Sequence, residues 1–179
     1  HRFVVWPHVV FGLWRITKPV LIWLAVQVAL TYLALNLLAT AYFTRPRRDF
    51  AETVNPGAYS WQTALPYENV TFSARDDDAT IAAWYIPAPH ATRAVVMAHG
   101  KDSSRASEFF GRFIELAAGL HARGYAVLMI DLRGHGRSSD AFVSFGQNER
   151  RDVLGAVDWL RGRGIVPAQV GLLGVSMGA

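Results

Sequence analysis

One stretch of this sequence narrows the choice of fold more than any other: residues 20–43 form a run of 24 residues without a charged side chain. As an α-helix this run would be about 36 Å long, which is enough to cross a hydrocarbon core of roughly 30 Å. Trp23 and Tyr42 lie near its two ends, where aromatic side chains collect at membrane interfaces. The sequence therefore predicts one transmembrane helix over residues 20–43, and a single-pass membrane protein.

Two other structures are compatible with this apolar run. A helix buried in a soluble core is one, although such a helix is seldom apolar on all sides over this length. A cleaved signal peptide is the other, because Ala39-Thr40-Ala41 resembles a cleavage site, but the apolar region of a signal peptide usually covers only about 7–15 residues. We favour an uncleaved anchor. Three basic residues precede the run and three lie within the five residues that follow it, so the side of the membrane that holds the rest of the chain is not predicted.

The charge of the chain also divides near residue 48. The 179 residues have a net charge of +4, but residues 1–48 hold six of the 18 basic residues and none of the 14 acidic ones, which leaves residues 49–179 with a net charge of −2. A nucleic-acid-binding domain carries its basic excess on the folded part, so nucleic acid is not an expected partner. The absence of cysteine excludes thiolate nucleophiles and thiolate metal sites.

Four regions follow from these patterns. Residues 1–19 are predicted to be a juxtamembrane segment and residues 20–43 the membrane helix. Residues 44–67 contain three prolines and no regular hydrophobic period, so they are predicted to be a linker. Regular patterns begin at residue 68, and residues 68–179 are predicted to form one folded domain.

This domain is predicted to begin with a β-hairpin and to continue with alternating strands and helices. Short apolar or alternating segments predict strands over residues 68–74, 80–86, 94–98, 126–130 and 169–173. Apolar residues at helical spacing predict helices over residues 106–123 and 147–161. This order predicts an α/β fold in which a βαβαβ unit forms a mostly parallel sheet covered on both faces.

Two charged groups in the domain are predicted to be solvated. Residues 76–78 form the acidic turn of the hairpin, and they lack the ligand spacing of a calcium-binding loop. Residues 149–152 form the charged start of the second helix. We therefore expect neither group to contribute to the core.

The last predicted strand leads directly into the motif G-x-S-x-G at residues 174–178. In a strand-to-helix turn of this kind the serine has a strained conformation, and the flanking glycines avoid collisions with it. The hydroxyl of Ser176 would then stand at the carboxyl end of the sheet, where open α/β sheets bind ligands. The adjacent N–H of Met177 would be available to a developing oxyanion. The motif predicts Ser176 as a nucleophile.

Two further segments end at the same edge of the predicted sheet. His99-Gly100-Lys101 follows the strand over residues 94–98, so the glycine would let the backbone approach a substrate and the N–H of Lys101 would be the second oxyanion donor. The lysine side chain would favour acidic substrates. A glycine-rich turn, DLRGHGRSS at residues 131–139, follows the next strand.

The segments AVVMAHGK, AVLMIDLRGHGRSS and VGLLGVSMGA, in this order, resemble the α/β-hydrolase family, most closely its serine aminopeptidase-like branch, some members of which have one N-terminal membrane span. The resemblance covers residues 68–179. It implies the N-terminal part of an α/β-hydrolase fold and a serine hydrolase that cleaves an ester, thioester or amide of a small molecule, peptide or lipid. It implies no cofactor.

In this family the catalytic acid and histidine follow the serine in the chain, so both are expected beyond Ala179 in a longer protein. A serine without its base is a weak nucleophile, and these 179 residues alone are expected to be inactive. His99, Asp131 and His135 are expected to support the loops rather than complete a triad, and they lack the spacing of a metal site. The residues expected to support the site are His99, Gly100, Asp131, Gly174 and Gly178.

One alternative function remains open. An α/β-hydrolase-like membrane protein can retain the fold for binding without catalysis. A histidine in the expected position of the following sequence would distinguish an enzyme from such a binding protein.

Overall fold

The computed structural model describes residues 7–48, 54–58 and 64–179, and the chain divides into two compact units between Phe43 and Thr44. Residues 1–6 of the predicted juxtamembrane segment lie outside the described residues. So do residues 49–53 and 59–63 of the predicted linker.

The described part of the N-terminal unit is one helix, α1 (Pro7–Thr44), which extends the predicted helix in both directions and contains Pro19. Within the described residues, Thr17–Thr44 is the one helix that is long and apolar enough to cross a membrane, with a mean hydropathy of 2.0. None of its apolar stretch is buried. These side chains therefore form no part of a hydrophobic core in the described chain.

The second unit contains a five-stranded sheet with helices on both faces. Its strands are β1 (Glu68–Ser73), β2 (Thr80–Ile86), β3 (Ala94–Ala98), β4 (Ala126–Ile130) and β5 (Val170–Gly174), in the spatial order β1-β2-β4-β3-β5. Strand β2 is antiparallel to both β1 and β4, whereas β3 is parallel to both β4 and β5. The predicted strands agree with these bounds to within one residue, and the predicted α/β architecture, with β4, β3 and β5 parallel in a βαβαβ unit, is confirmed.

Two helices, α2 (Phe113–His121) and α3 (Glu149–Gly162), cover opposite faces of the sheet. Phe113 and Ile114 pack into the core on one face, and Ala156 and Leu160 pack into the core on the other. Since both faces of β4 are covered, all five of its residues are buried. This burial on both sides explains why the sequence of β4 is apolar without alternation.

The first helix of this unit is shorter than the sequence predicts. A 3₁₀ turn at Glu108–Gly111 precedes α2, and Phe109 and Phe110 have φ angles of 51° and 58°, which no α-helix contains. The hydroxyl of Ser104 accepts hydrogen bonds from two backbone N–H groups, those of Ala106 and Ser107. Side-chain bonds of this kind compete with helix formation, so the regular helix begins only at Phe113.

The prediction that residues 149–152 form a solvated face is wrong for Glu149 and Asp152, whereas Arg150 is exposed as predicted. Glu149 and Asp152 are 2% and 0% exposed. The Glu149 carboxylate accepts hydrogen bonds from the N–H groups of Ser144 and Gly146, at 2.8 Å each, and so holds the loop that precedes α3. Burial of these two carboxylates is possible because each has several donors within reach.

Candidate active site

Ser176 lies where β5 ends, at the carboxyl edge of the sheet. It is exposed, it begins a 3₁₀ turn at Ser176–Gly178, and its φ angle of 51° is in the left-handed region. The N–H of Val175 donates to the carbonyl of Ala98 at 3.1 Å, which ties the turn to the end of β3. An exposed serine is therefore held on a strained, anchored turn, and strain of this kind is concentrated at functional sites.

The flanking glycines are required by close backbone contacts. A β-carbon at Gly174 would lie 2.0 Å from the carbonyl oxygen of Gly178. A β-carbon at Gly178 would lie 2.7 Å from the carbonyl oxygens of both Ala98 and His99. Because the opposing atoms are backbone atoms, side-chain movement cannot relieve either collision. The tight turn at Ser176 thus depends on glycine at both positions.

The segment after β3 approaches this serine. A β-carbon at Gly100 would lie 3.5 Å from Cβ of Ser176. The N–H of Gly100 donates to Oε2 of Glu108 at 2.7 Å, and Glu108 is only 9% exposed. Within the part of the chain that the structure describes, the next N–H along, that of Lys101, donates to no protein acceptor. The structure therefore places the glycine of this segment beside the serine and leaves one neighbouring donor available.

The side chain of Lys101 does not present a free charge to the site. Its ammonium group lies 2.7 Å from Oδ2 of Asp102. Partial burial raises the pKa of the Asp102 carboxyl, but the hydrogen bonds from Lys101 and from the N–H of Arg47 lower it. The net effect is a pKa below the usual value. The expectation that Lys101 selects acidic substrates loses its support, because its charge is already paired.

Two buried histidines join the segments that follow β3 and β4. The N–H of Leu132 donates to Nε2 of His99 at 3.0 Å, and Nδ1 of His99 donates to the carbonyl of Gly100 at 2.7 Å. His135 has the same pattern. Its Nδ1 donates to the carbonyl of Arg133 at 3.0 Å, and its Nε2 accepts from the N–H of Asp102, in the loop after β3, at 3.2 Å. Each ring therefore needs one protonated and one unprotonated nitrogen.

Burial keeps both rings in that neutral form. His99 is 0% exposed, and burial lowers its pKa to about 4. Burial also lowers the pKa of His135. The two rings lie edge to face with centroids 5.0 Å apart. The hydrogen bonds of both rings connect backbone segments of the loops after β3 and β4.

Asp131 makes a second connection between the same segments. Its Oδ1 accepts from the N–H of Arg105 at 2.8 Å and its Oδ2 from the N–H of Arg137 at 3.0 Å. The guanidinium of Arg105 lies 3.1 Å from Oδ2, and both side chains are at most 3% exposed. A β-carbon at Gly136 would lie 2.1 Å from the same carboxylate, so this turn can pass over Asp131 only with glycine.

A third connection fixes the base of the turn after β4. Arg133 bonds Asp152 on α3 through its backbone N–H, its Nε and one terminal nitrogen, at 2.7–2.9 Å. Its other terminal nitrogen lies 2.8 Å from Asp77 in the hairpin turn, and this bond is the largest of the effects that lower the pKa of Asp77 to about 2. The acidic hairpin turn therefore has a structural contact that its sequence did not predict.

Sequence reasoning missed several supporting residues. Glu108 lies in the segment predicted to be helical and Arg105 directly precedes it. Charged side chains at such positions are normally solvated, and no local signal indicates that these two turn inward. Arg48 lies in the predicted linker, yet its guanidinium donates to the carbonyls of Gly136 and Ser138. Their partners lie from 8 to 90 residues away in sequence, which hydrophobic periodicity does not reveal.

Comparison with known proteins places this geometry in context. A family model described as X-Pro dipeptidyl-peptidase (S15 family) matches residues 37–179. This family is not the serine aminopeptidase-like branch that the sequence motifs resemble. A search of curated proteins finds no match.

Solved structures of α/β hydrolases share the fold. The esterase Pf2001 of Pyrococcus furiosus is 27% identical with a TM-score of 0.61, and the alignment covers 74% of this chain and 49% of that chain. The α/β hydrolase GrgF from Penicillium sp. sh18 is 24% identical with a TM-score of 0.56, covering 64% and 39%. Est1E from Butyrivibrio proteoclasticus, with ferulic acid bound, is 21% identical with a TM-score of 0.52, covering 61% and 43%. The chain spans about half the length of these structures or less.

Proposed function

Because the chain belongs to the X-Pro dipeptidyl-peptidase (S15) family and has the fold of α/β hydrolases, we propose that it is part of a membrane-anchored serine hydrolase with Ser176 as its nucleophile. The anchor is α1, whose stretch Thr17–Thr44 has the length and hydropathy of a membrane span. The hydrolase class follows from the family, whereas the anchor and the nucleophile are our proposals.

The observation that carries the assignment of Ser176 is its backbone. A serine with a φ of 51° is uncommon, and here two glycines with no room for a side chain enclose it at the carboxyl edge of the sheet. A strained backbone that requires glycine on both sides is difficult to explain for a serine whose side chain has no function. It is well explained if the hydroxyl has to project toward a substrate.

The proposed chemistry uses two amides beside the serine. Oγ of Ser176 attacks the substrate carbonyl carbon and passes its proton to a base. The N–H groups of Lys101 and Met177 stabilise the oxyanion that forms, and preorganised donors of this kind are worth about 10²–10³-fold in kcat each. Collapse of the intermediate expels the alcohol or amine and leaves an acyl-serine, which water then hydrolyses.

We propose that the base and its acidic partner come from sequence that follows Ala179. The order serine, acid, histidine is that of α/β hydrolases. His99 and His135 are unsuitable alternatives, because both are buried and use both ring nitrogens for backbone contacts.

The comparisons suggest two substrate classes. The family description suggests an amide that follows an Xaa-Pro dipeptide, and the similar Pyrococcus furiosus protein is an esterase, which suggests a small acyl ester. Both reactions need the same nucleophile and oxyanion donors. The difference between them lies in groups that bind the acyl part and the leaving group.

The test uses the full-length protein in membranes or mild detergent. Hydrolysis of short p-nitrophenyl esters and of Ala-Pro-p-nitroanilide is measured for the wild type, Ser176→Ala and Ser73→Ala. Ser73 is an exposed serine at the end of β1 and serves as the matched control. We expect Ser176→Ala to lower kcat by about 10³-fold or more, while Ser73→Ala stays within about twofold of the wild type. Unchanged hydrolysis by Ser176→Ala would overturn the assignment, and no hydrolysis by any form would favour the non-catalytic binding protein.

A further inference from the structure

The short segment that follows the apolar run is bound to the loops around the candidate site. We call residues 44–48 the strap. Its first residue, Thr44, accepts a hydrogen bond from the N–H of Val143 at 2.7 Å. Its Pro46 lies so close to the turn after β4 that a β-carbon at Gly134 would be 2.9 Å from the proline ring. These contacts lie within the second unit and were not expected of a linker.

The last two strap residues reach both loops at the carboxyl edge of the sheet. The N–H of Arg47 donates to Oδ1 of Asp102, in the loop after β3, at 2.8 Å. Arg48 donates to the carbonyls of Gly136 and Ser138, in the loop after β4, and forms an ion pair with Asp140 at 3.3 Å. The strap therefore crosses from one loop to the other beside the edge that bears Ser176.

Asp102 connects the strap to Lys101, whose N–H is the proposed oxyanion donor. Its Oδ1 accepts from the Arg47 amide, its Oδ2 pairs with the Lys101 ammonium, and its own N–H donates to His135 at 3.2 Å. Its φ of 60° is uncommon for a residue other than glycine, so its backbone stays in place only while such contacts hold it. Asp102 is covalently joined to Lys101, and a change in its position moves the Lys101 peptide.

We propose that the strap is a positioning element for the reaction. Through Asp102, the Arg47 amide holds the Lys101 N–H where an oxyanion forms, and Arg48 holds the facing turn. The inference rests on the proposed hydrolase function, and it assigns the positioning of the oxyanion donor to residues that begin directly after Phe43, the last residue of the apolar run.

The test separates the backbone amide of Arg47 from its side chain. In the full-length protein, Arg47→Pro removes the N–H that bonds Asp102, whereas the matched control Arg47→Ala keeps this N–H and removes only an exposed side chain. Loss of one oxyanion donor costs about 10²–10³-fold in kcat, so a misplaced donor is expected to lower kcat by about tenfold or more. We expect this loss in Arg47→Pro with KM within about twofold, and no loss in Arg47→Ala.

A second readout does not depend on catalysis. Hydrogen–deuterium exchange of the peptide that contains Lys101 and Asp102 should be faster in Arg47→Pro than in Arg47→Ala, while peptides from β4 exchange equally in both. Equal exchange and equal kcat in the two variants would overturn the proposal. A wild-type protein without hydrolase activity would contradict the proposed function, and the exchange comparison would still decide whether the strap holds the loop. If Arg47→Pro unfolds, β4 peptides reveal it, and Asp102→Ala against Asp102→Asn repeats the comparison from the other partner.

Discussion

The tight turn at Ser176, which we call the elbow, leads to a prediction that compares two glycines of β5, Gly174 and Gly171. A β-carbon at Gly174 would lie 2.0 Å from the carbonyl oxygen of Gly178, a distance at which the backbone has to move. Restoring a contact of about 3 Å requires a displacement of about 1 Å across the turn that holds Ser176. Misplacement of a reacting group by about 1 Å costs on the order of 10²-fold in rate. We therefore expect Gly174→Ala to slow the reaction of Ser176 by about that factor.

Gly171 provides the matched control, three residues earlier on β5. A β-carbon there would first meet Cγ2 of Val95 at 3.6 Å, which is an ordinary contact. The rate of labelling by a fluorophosphonate, measured on the full-length protein, should be near the wild-type rate for Gly171→Ala and about 10²-fold lower for Gly174→Ala. Overpacking should also lower the free energy of unfolding of Gly174→Ala by about 1–3 kcal/mol. Wild-type labelling of Gly174→Ala, or an equal loss in both variants, would refute the reasoning.

Three further predictions concern the supporting network. Arg133→Ala leaves the fully buried Asp152 without its partner, so the free energy of unfolding in urea should fall by about 3–5 kcal/mol, whereas Arg161→Ala, at a side chain 67% exposed, should change it by less than about 0.5 kcal/mol. The pKa of His99 is about 4 in the folded state and roughly 6.5 in the unfolded state, so the unfolded state binds more protons between these values. Lowering the pH from 6.5 to 4 should therefore lower the free energy of unfolding by up to about 3 kcal/mol. His99→Gln should reduce this pH dependence, measured by urea titrations at each pH. Glu108→Gln keeps an acceptor for the amide of Gly100 and should retain kcat, whereas Glu108→Ala should lower kcat by about tenfold; equal kcat in these two variants would show that the buried bond does not position the loop.

Most of the sheet was predictable because its determinants are local. Strands β3 and β4 are short apolar segments between polar turns, and burial on both faces makes such segments distinctive. The elbow was predictable for the same reason, since its glycines and its serine are contiguous. Within the described residues, the sequence also located the long apolar helix, because the absence of charge over this length is itself the signal.

The remainder depends on contacts between distant residues. The helix expected over residues 106–123 breaks at Phe109 and Phe110, because Ser104 bonds nearby amides and Glu108 turns toward Gly100. The apolar spacing of Phe109 and Phe110 is compatible with a helix, and it does not reveal that the helix is interrupted there. In the sequence, Asp152 looks like any solvated charged residue on a helix. Its burial is possible because Arg133, 19 residues earlier in the chain, forms hydrogen bonds to its carboxylate.

The most direct test of the central proposal is the identity of the residue that becomes acylated. The full-length protein is treated with a fluorophosphonate, digested, and the modified peptide is sequenced by mass spectrometry, with Ser176→Ala treated in parallel. We predict one stoichiometric adduct, on Ser176, and no adduct in the variant. An adduct on another residue, or catalytic turnover of an ester or amide by an enzyme with alanine at this position, would contradict the proposal that Ser176 is the nucleophile.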